Sequence, residues 1–414
     1  FRLTAPEQTS RQVLERVPVP AEFKVKLVPV SAAGVTITPD WSMADAETVS
    51  SATRSRLCLN GLWALLVPGP NGELPPTLDW AFFKVPGRPG DSRSPFEIYG
   101  NRANYRWKQS PFRWLWRTVE LPPELPARRY FIQCDSLLGG AARIFWNGNP
   151  IGYLTDAWGG EVEIPAELLK RGTTNTLALL VTGKKLNETT MHLTLSGKVP
   201  DIHEPTTSPS VGNVYLSSRP EVSYCAPPRI TTSYRNRTLT VKLPGRERAA
   251  FYSIEVRDEN GQTVLTADRL QPSGGQLTIP WENPVLWSPE EPNLLFLTLS
   301  ASNASGRLLD RSLPERFGFR ELWREGKELK FNGQPLRLRP RMGLWGGGTF
   351  LSDAFARRGI SFLKDMGFNT LLRPGNERGE TELIRAADEL GFFTIAYLPT
   401  ALADGCLLYT SDAA

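Results

Sequence analysis

The apolar pattern of this chain changes period once, near residue 350, and that change limits the folds open to it. From Leu57 to about Gly197 it consists of short runs rich in Trp, Tyr, Val and Ile, broken by Pro and Gly: "LCLNGLWALLV", "RWLWRTVELP", "RRYFIQCDS", "AARIFWNGNPIG" and "TNTLALLVTG". Runs of this length and spacing specify an antiparallel β-sandwich. In "WNGN", Asn147-Gly148 stands between two strand-like runs. A type I′ turn needs φ > 0 at both central positions, so a hairpin is expected there. Residues 198–213, "KVPDIHEPTTSPSVGN", read as a linker. From Val214 to Arg320 the runs "TLTVKL", "FYSIEVRD", "GQLTIPW" and "NLLFLTLSAS" suggest a second, immunoglobulin-like sandwich, without the Cys-Trp-Cys core of antibody domains.

Beyond that point helices alternate with strands. "SDAFARRGISFLKDMG" carries Phe355, Phe362, Leu363 and Met366 at helical spacing, between Ser352 as N-cap and Gly367 as C′ glycine. "FNTLLRP" reads as a strand, "ETELIRAADELG" as a helix ended by Gly391, and "FFTIAYL" as another strand. Upstream, Asn332-Gly333 reads as a turn into a strand with alternating Leu336 and Leu338. Strand, helix, strand, helix, strand means parallel βαβ units. The expected organisation is an N-terminal extension (1–50), a first sandwich (51–205), a second (206–322), a parallel βα region (323–405) and a non-native tail (406–414). In the extension, "EFKVKLVPV" and "GVTITPDW" look like strands; the tail continues neither the last strand nor a third helix, and resembles translated adapter sequence.

Composition excludes several functions. The net charge of +5 comes from 48 basic residues interleaved with 43 acidic ones, and the densest basic knot, Arg337 to Arg341, lies inside an alternating strand pattern. This describes solvated surface, not a nucleic-acid footprint. The four cysteines have no CxxC spacing and the only histidines are His192 and His203. That argues against a zinc site and against Ser-His or Cys-His catalysis, and a distant disulfide stays open. No apolar run approaches the roughly 18 residues of a membrane span. The chain begins at Phe1 without a signal-peptide core, so a processed form or a fragment is expected, with a periplasmic or secreted location preferred to a cytoplasmic one. No cofactor, metal, membrane or nucleic-acid partner is expected, and the oligomeric state is left open.

Two sandwiches followed by parallel βα units is an order that resembles glycoside hydrolase family 2, the β-galactosidases, β-glucuronidases and β-mannosidases. "LNGLWALL" (59–66) is similar to that family's opening Asn-Gly-x-Trp strand, and "WLWRTVELP" (114–122) to its aromatic-Arg strand ending in Leu-Pro. "AARIFWNGNPIG" (141–152) resembles its Asn-Gly hairpin, and "IPAELLKRGTTNTLALLV" (164–181) the run that follows. "NPVLWSPEEPNLLFLTL" (283–299) resembles its Pro-x-Leu-Trp-Ser-Pro-Glu signature, and "FGFRE" (317–321) the Gly-Phe-Arg that leads into its barrel. "KFNGQPLRLR" and "LKDMGFNTLLR" resemble the first barrel strand and the first helix with second strand, so the likeness covers about residues 55 to 400. These motifs also carry a purely physical reading, in which Trp63, Trp116, Trp146 and Trp287 pack in cores. Pro284, Pro289 and Pro292 keep Leu286 to Glu290 from joining a sheet as a central strand.

The resemblance implies a jelly-roll sugar-binding domain, an immunoglobulin-like spacer and the first units of an incomplete (β/α)8 TIM barrel. It implies retaining hydrolysis of β-linked glycosides, in which one carboxylic acid protonates the leaving oxygen and a second carboxylate about 5 Å away attacks the anomeric carbon. In that family these two Glu residues end the fourth and seventh barrel strands. This chain reaches about three, so no catalytic residue is carried over and the fragment is expected to be inactive. Asn376-Glu377, past the second strand, and Asn187-Glu188 are read as coincidental Asn-Glu pairs. Four residues are candidates for substrate contact. Arg373 ends the second strand, with a salt bridge as the alternative; Arg341 and Trp345 follow the first, with packing as the alternative; Asp201 precedes "SVGNVYL", with a solvated linker as the alternative. Two departures stand out: Pro340 to Leu344 replaces the family's Gly-x-Asn-x-His run, and Tyr397 stands where many relatives carry Glu. They weaken a galactosidase assignment more than a hydrolase one. The rival expectation is a non-catalytic carbohydrate-binding or adhesion protein with a degenerate barrel.

Overall fold

The computed structural model describes residues 11–20, 30–32, 35–37, 48–69, 71–74, 80–87, 98–99, 110–135, 137, 140–154, 159–184, 205–206, 211–245, 247–342, 353–373 and 380–396. Trp345, Asp201, both histidines, Asn187-Glu188, Asn376-Glu377, Ser352, Tyr397 and the tail from Cys406 lie outside them. The described residues are mostly β, arranged as several sheets with few helices.

The first sandwich pairs two antiparallel sheets. The larger runs Asn149–Leu154, Gly140–Trp146, Thr174–Lys184, Phe112–Glu120, Gly61–Leu66, Ala81–Val85, Ile98–Tyr99; the smaller runs Gly160–Ile164, Arg129–Cys134, Val214–Arg219, Ser55–Cys58, Thr48–Ser50. Trp63, Leu115, Ile144 and Leu179 from one sheet and Tyr130, Ile132, Val162 and Leu216 from the other share a core. The Asn147-Gly148 hairpin forms as expected, with φ of 51° and 80°. Trp63, Trp116, Trp146 and Trp287 are at most 4% exposed, as the packing reading requires. The indole N–H of Trp63 donates to the Leu59 carbonyl at 2.8 Å and that of Trp146 to the Leu168 carbonyl at 3.2 Å.

Val214–Arg219 corrects the expected domain boundary. It lies between Ser55–Cys58 and Arg129–Cys134 in the smaller sheet, so the first sandwich runs to Arg219 and does not end at 205. The described part of the expected linker is likewise packed. Pro205 and Thr206 pair with Lys184 and Gly183, and Val211 bridges Gly87 with its side chain fully buried. Asn213 donates its backbone N–H and its amide to the Asp135 carboxylate at 2.7 and 2.6 Å, and accepts from Asn60 at 2.7 Å. Pro, Ser and Thr hid the pairing because isolated backbone bridges, one buried Val211 and the Asn213 hydrogen bonds, not an alternating apolar run, hold the described part of this segment.

The second sandwich sets Arg229–Ser233, Thr238–Lys242 and Gln276–Pro280 against Thr263–Leu270, Phe251–Asp258, Leu295–Ser302 and Leu308–Arg311. Leu239, Val241, Tyr252, Ile254, Leu297 and Phe319 fill its core.

After it the structure corrects the position of the first parallel strand. Asn332-Gly333 is a turn, with φ of 48° and 85°, but it joins Glu328–Phe331 to Gln334–Leu336 in an antiparallel sheet. The parallel strand is the next one, Pro340–Met342, paired with Thr370–Arg373, which pairs in turn with Phe393–Ala396. Arg341 therefore lies inside the strand, not after it. Pro340 lacks an N–H and is tolerated because, among the described strands, this one is at the sheet edge.

Helix Asp353–Asp365 and helix Glu380–Glu389 pack on one side of this sheet. The first ends at Gly367, φ 85°, where the N–H of Phe368 bonds the Leu363 carbonyl, as expected of a C′ glycine. Its inner face is Ala356, Ile360 and Leu363. Phe362 and Met366, expected on that face, are 60% and 58% exposed, because they lie one turn apart on the side facing away from the sheet. No helix among the described residues is long and apolar enough to cross a membrane.

Candidate functional site

Ligands of parallel α/β units gather at the carboxyl ends of the strands. Here that rim is formed by Pro340–Met342, Thr370–Arg373 and Phe393–Ala396, running side by side. Of the four expected contact residues, Arg341 and Arg373 stand on these strands, while Trp345 and Asp201 lie outside the described residues. Arg341 is half-buried and in register with Leu371, and Arg373 is in register with Ala396. Leu371 is fully buried with Ile360, Leu363 and Leu383 between sheet and helices. Side chains alternate across a pleated strand, so positions 341 and 371, which are in register, belong to the helix-facing side.

One amide sets the opposite end of the sheet. Asn369 accepts the Arg339 N–H at 2.7 Å, donates its side chain to the Arg337 carbonyl at 2.9 Å, and accepts the Phe393 N–H on its backbone carbonyl at 2.9 Å. Three strands thereby start in fixed register.

The second sandwich grips the same unit from below. Trp287, fully buried, meets Phe331 and Phe393 edge-on with ring centroids 5.9 and 5.6 Å away, and its indole N–H donates to the Asp388 carbonyl at 2.7 Å. Arg320 lies over the indole, 4.4 Å from its centroid. Asp388 and Glu389 occupy the last turn of helix Glu380–Glu389, where the helix dipole disfavours acids. Arginines compensate: Arg316 reaches Asp388 at 3.2 Å and Glu389 at 2.8 Å, Arg385 reaches Glu389 at 3.1 Å, and Arg357 pairs with Glu389 from the neighbouring helix. Burial works to raise the Glu389 carboxyl, but hydrogen bonds from Arg357 and Arg385 hold it below its ordinary value.

Gly391 follows, with φ 67°, and a Cβ there would stand 2.3 Å from the Pro289 carbonyl oxygen. Gly391→Ala is therefore expected to destabilise the protein by about 1–3 kcal/mol through overpacking and left-handed strain. Urea unfolding would show it as a lower midpoint, and an unchanged midpoint would contradict the contact.

This junction escaped the sequence reading, which treated Trp287 only as core. The available signal was the pair Asp388-Glu389 at a helix C-terminus, an arrangement unfavourable unless cations meet it. Cys58, Cys134 and Cys225 are buried, and burial pushes the Cys225 thiol up to about 12, away from nucleophilic use. Among the described residues no group of three or more His, Cys, Asp or Glu is placed to hold a metal.

Residues 228–320 match the model for glycosyl hydrolases family 2. A protein of Formosa agariphila, named provisionally as a beta-glucuronidase, is 25% identical over 187 residues, 43% of this chain and 17% of its own length. A beta-galactosidase of Enterobacter cloacae is 35% identical over 98 residues, 23% of this chain and 9% of that protein. This chain thus spans less than a fifth of the length of either relative. A beta-D-glucuronidase structure from Dictyoglomus thermophilum superposes with a TM-score of 0.61 at 18% identity, covering 84% of this chain and 59% of the other. At that identity the likeness concerns the fold.

Proposed function

We propose that this chain, whose second sandwich carries the match to glycosyl hydrolases family 2, is part of a retaining glycoside hydrolase acting on β-linked glycosides. The observation that carries the reading is the family match over residues 228–320, followed directly by the parallel βα units. In this reading the first sandwich is a jelly-roll sugar-binding domain, the second an immunoglobulin-like spacer, and the βα units open a (β/α)8 barrel. No residue of 1–414 is proposed for the carboxylate pair that retention requires. The residues proposed to contact the sugar are Arg373 and Arg341, which stand on the parallel strands, together with Trp345 and Asp201. A guanidinium there suits a β-glucuronide, whose carboxylate accepts charge-assisted hydrogen bonds.

The test is direct. Purified residues 1–414 should turn over neither 4-nitrophenyl β-D-glucuronide nor the β-D-galactoside. Turnover that disappears with Glu377→Gln would place a catalytic carboxylate at Glu377 and overturn this reading.

A further inference from the structure

Two carboxylates stand along one edge of the second sandwich, and only one of them is hydrogen-bonded. On that edge the strand Leu295–Ser302 pairs first with Leu308–Arg311, where Asp310 is opposite Ala301, and then with Glu315–Phe317, where Glu315 is opposite Leu297. Ala301 and Leu297 are core residues of this sandwich, and directly paired residues share a face, so Asp310 and Glu315 both belong to the core-facing side. Phe317, two residues on, packs against the same core, while Arg316 turns the other way, to Asp388 and Glu389.

The first sandwich meets this edge with the residues that lead into and form Ser55–Cys58. Ser51 and Thr53 donate to the Arg311 carbonyl at 2.8 and 3.2 Å, and Arg54 pairs with Asp310 at 2.6 Å. Arg56, two residues on, is the cation that acts on Glu315, and its guanidinium lies over the Tyr215 ring, 5.0 Å from the centroid. Of the charges on the neighbouring strands, Arg311 pairs with Glu255 at 2.8 Å, and Glu255 also holds Arg257 at 2.6 Å. Among the described residues Glu315 has no hydrogen bond and no ion pair. A half-buried carboxylate so placed lacks the donors that offset the desolvation of its charge. Burial raises the Glu315 carboxyl above its ordinary value, and Arg56 only partly opposes that. An inward charge on an edge strand also discourages pairing with another chain, a role that would not change with proton uptake elsewhere in the joint.

We propose that Glu315 makes the joint between the two sandwiches sensitive to protons, so that the joint is tighter in a mildly acidic medium than at neutral pH. A carboxyl that binds its proton more tightly in the folded protein than in the unfolded chain contributes stability that is complete below the unfolded value of about 4.3 and is lost as pH rises through the folded value. Asp310, held ionised, works in the opposite sense and loses its contribution in acid, so the joint is held best between the two transitions. Urea unfolding and hydrogen exchange of residues 1–414 at pH 5 and pH 8 test this. Glu315→Gln, which keeps the shape and drops the charge, should have the wild-type midpoint at pH 5 and a higher one at pH 8. At pH 8 it should also slow exchange several-fold over Ser55–Cys58 and residues 308–317, but not over Thr370–Arg373. Arg56→Gln, which removes the opposing cation, should widen the loss of midpoint between pH 5 and pH 8. A Glu315→Gln midpoint no higher than that of the wild type at pH 8, or higher by the same amount at both pH values, would overturn the proposal. Slowed exchange that spares Ser55–Cys58 would do so too, since the effect would then belong to the second sandwich alone. Failure of Glu315→Gln to fold would count equally against it, because the charged form is the one expected to be less stable.

Discussion

Replacing Trp287 by alanine is expected to lower stability by about 3–5 kcal/mol, the range for deleting a large buried aromatic. The loss should fall on one region. Trp287 packs on Phe331 and Phe393, carries Arg320 on its face, and leaves room only for glycine at 318, where a Cβ would stand 2.7 Å from its own. Its carbonyl accepts from the Asn332 amide at 3.0 Å and its N–H donates to the Phe319 carbonyl at 3.0 Å. Removing the indole therefore loosens the second sandwich from the parallel unit, with the ion pairs of Arg316 left to hold it. Hydrogen exchange should accelerate most over Thr370–Arg373 and Glu380–Ala396 and least in the first sandwich. Trp287→Phe, which loses mainly the N–H bond to Asp388, should cost nearer 1 kcal/mol. Equal exchange throughout the chain in Trp287→Ala would contradict the junction.

The second large effect is expected at Asp310, which joins the two sandwiches. Its carboxylate is fully buried and accepts from Arg54 at 2.9 and 2.6 Å, from Thr53 at 3.0 Å, and from the N–H groups of Tyr224 and Cys225 at 2.9 and 2.8 Å. Asp310→Ala leaves the Arg54 guanidinium buried without its counter-charge and should cost about 3–5 kcal/mol. Replacing both partners, as Arg54→Met/Asp310→Leu, should cost less, because no charge is then stranded. Burial pushes the Asp310 carboxyl up, but Arg54 and the backbone donors outweigh it and hold it below the usual carboxylate value. Its contribution is therefore fully present above the unfolded pKa of about 3.9 and is lost as pH falls through the lower folded value. Below about pH 4, stability should decline less steeply in Asp310→Asn than in the wild type. Identical slopes would show that the carboxylate is not held ionised by its partners.

What was legible in the sequence depended on how each segment is held. Strands bearing Trp and β-branched residues announced themselves, as did Asn147-Gly148, because turn geometry and apolar alternation are local properties. Val214–Arg219 was assigned to the wrong sandwich because its partners lie at positions 55–58 and 129–134, and pairing at that separation leaves no local mark. The shift of the first parallel strand from Leu336 and Leu338 to Pro340–Met342 has a similar cause: an alternating run suits an antiparallel hairpin as well as a barrel strand. Helical spacing placed Phe362 and Met366 on the wrong face, since Ala356, Ile360 and Leu363 fill the face that packs with Leu371. Two candidate contact residues, Arg341 and Arg373, were found on adjoining strands. The helix-facing register of Arg341 depended on the exact strand start, which sequence pattern fixes least well.

The central claim is best tested by the stereochemistry of the product. A longer protein carrying these residues with a complete barrel would be mixed with 4-nitrophenyl β-D-glucuronide and followed by proton NMR before mutarotation. The first sugar released is expected to be the β-anomer, the outcome of two successive inversions at the anomeric carbon. Release of the α-anomer, or no hydrolysis of any β-glycoside by a folded protein, would contradict it.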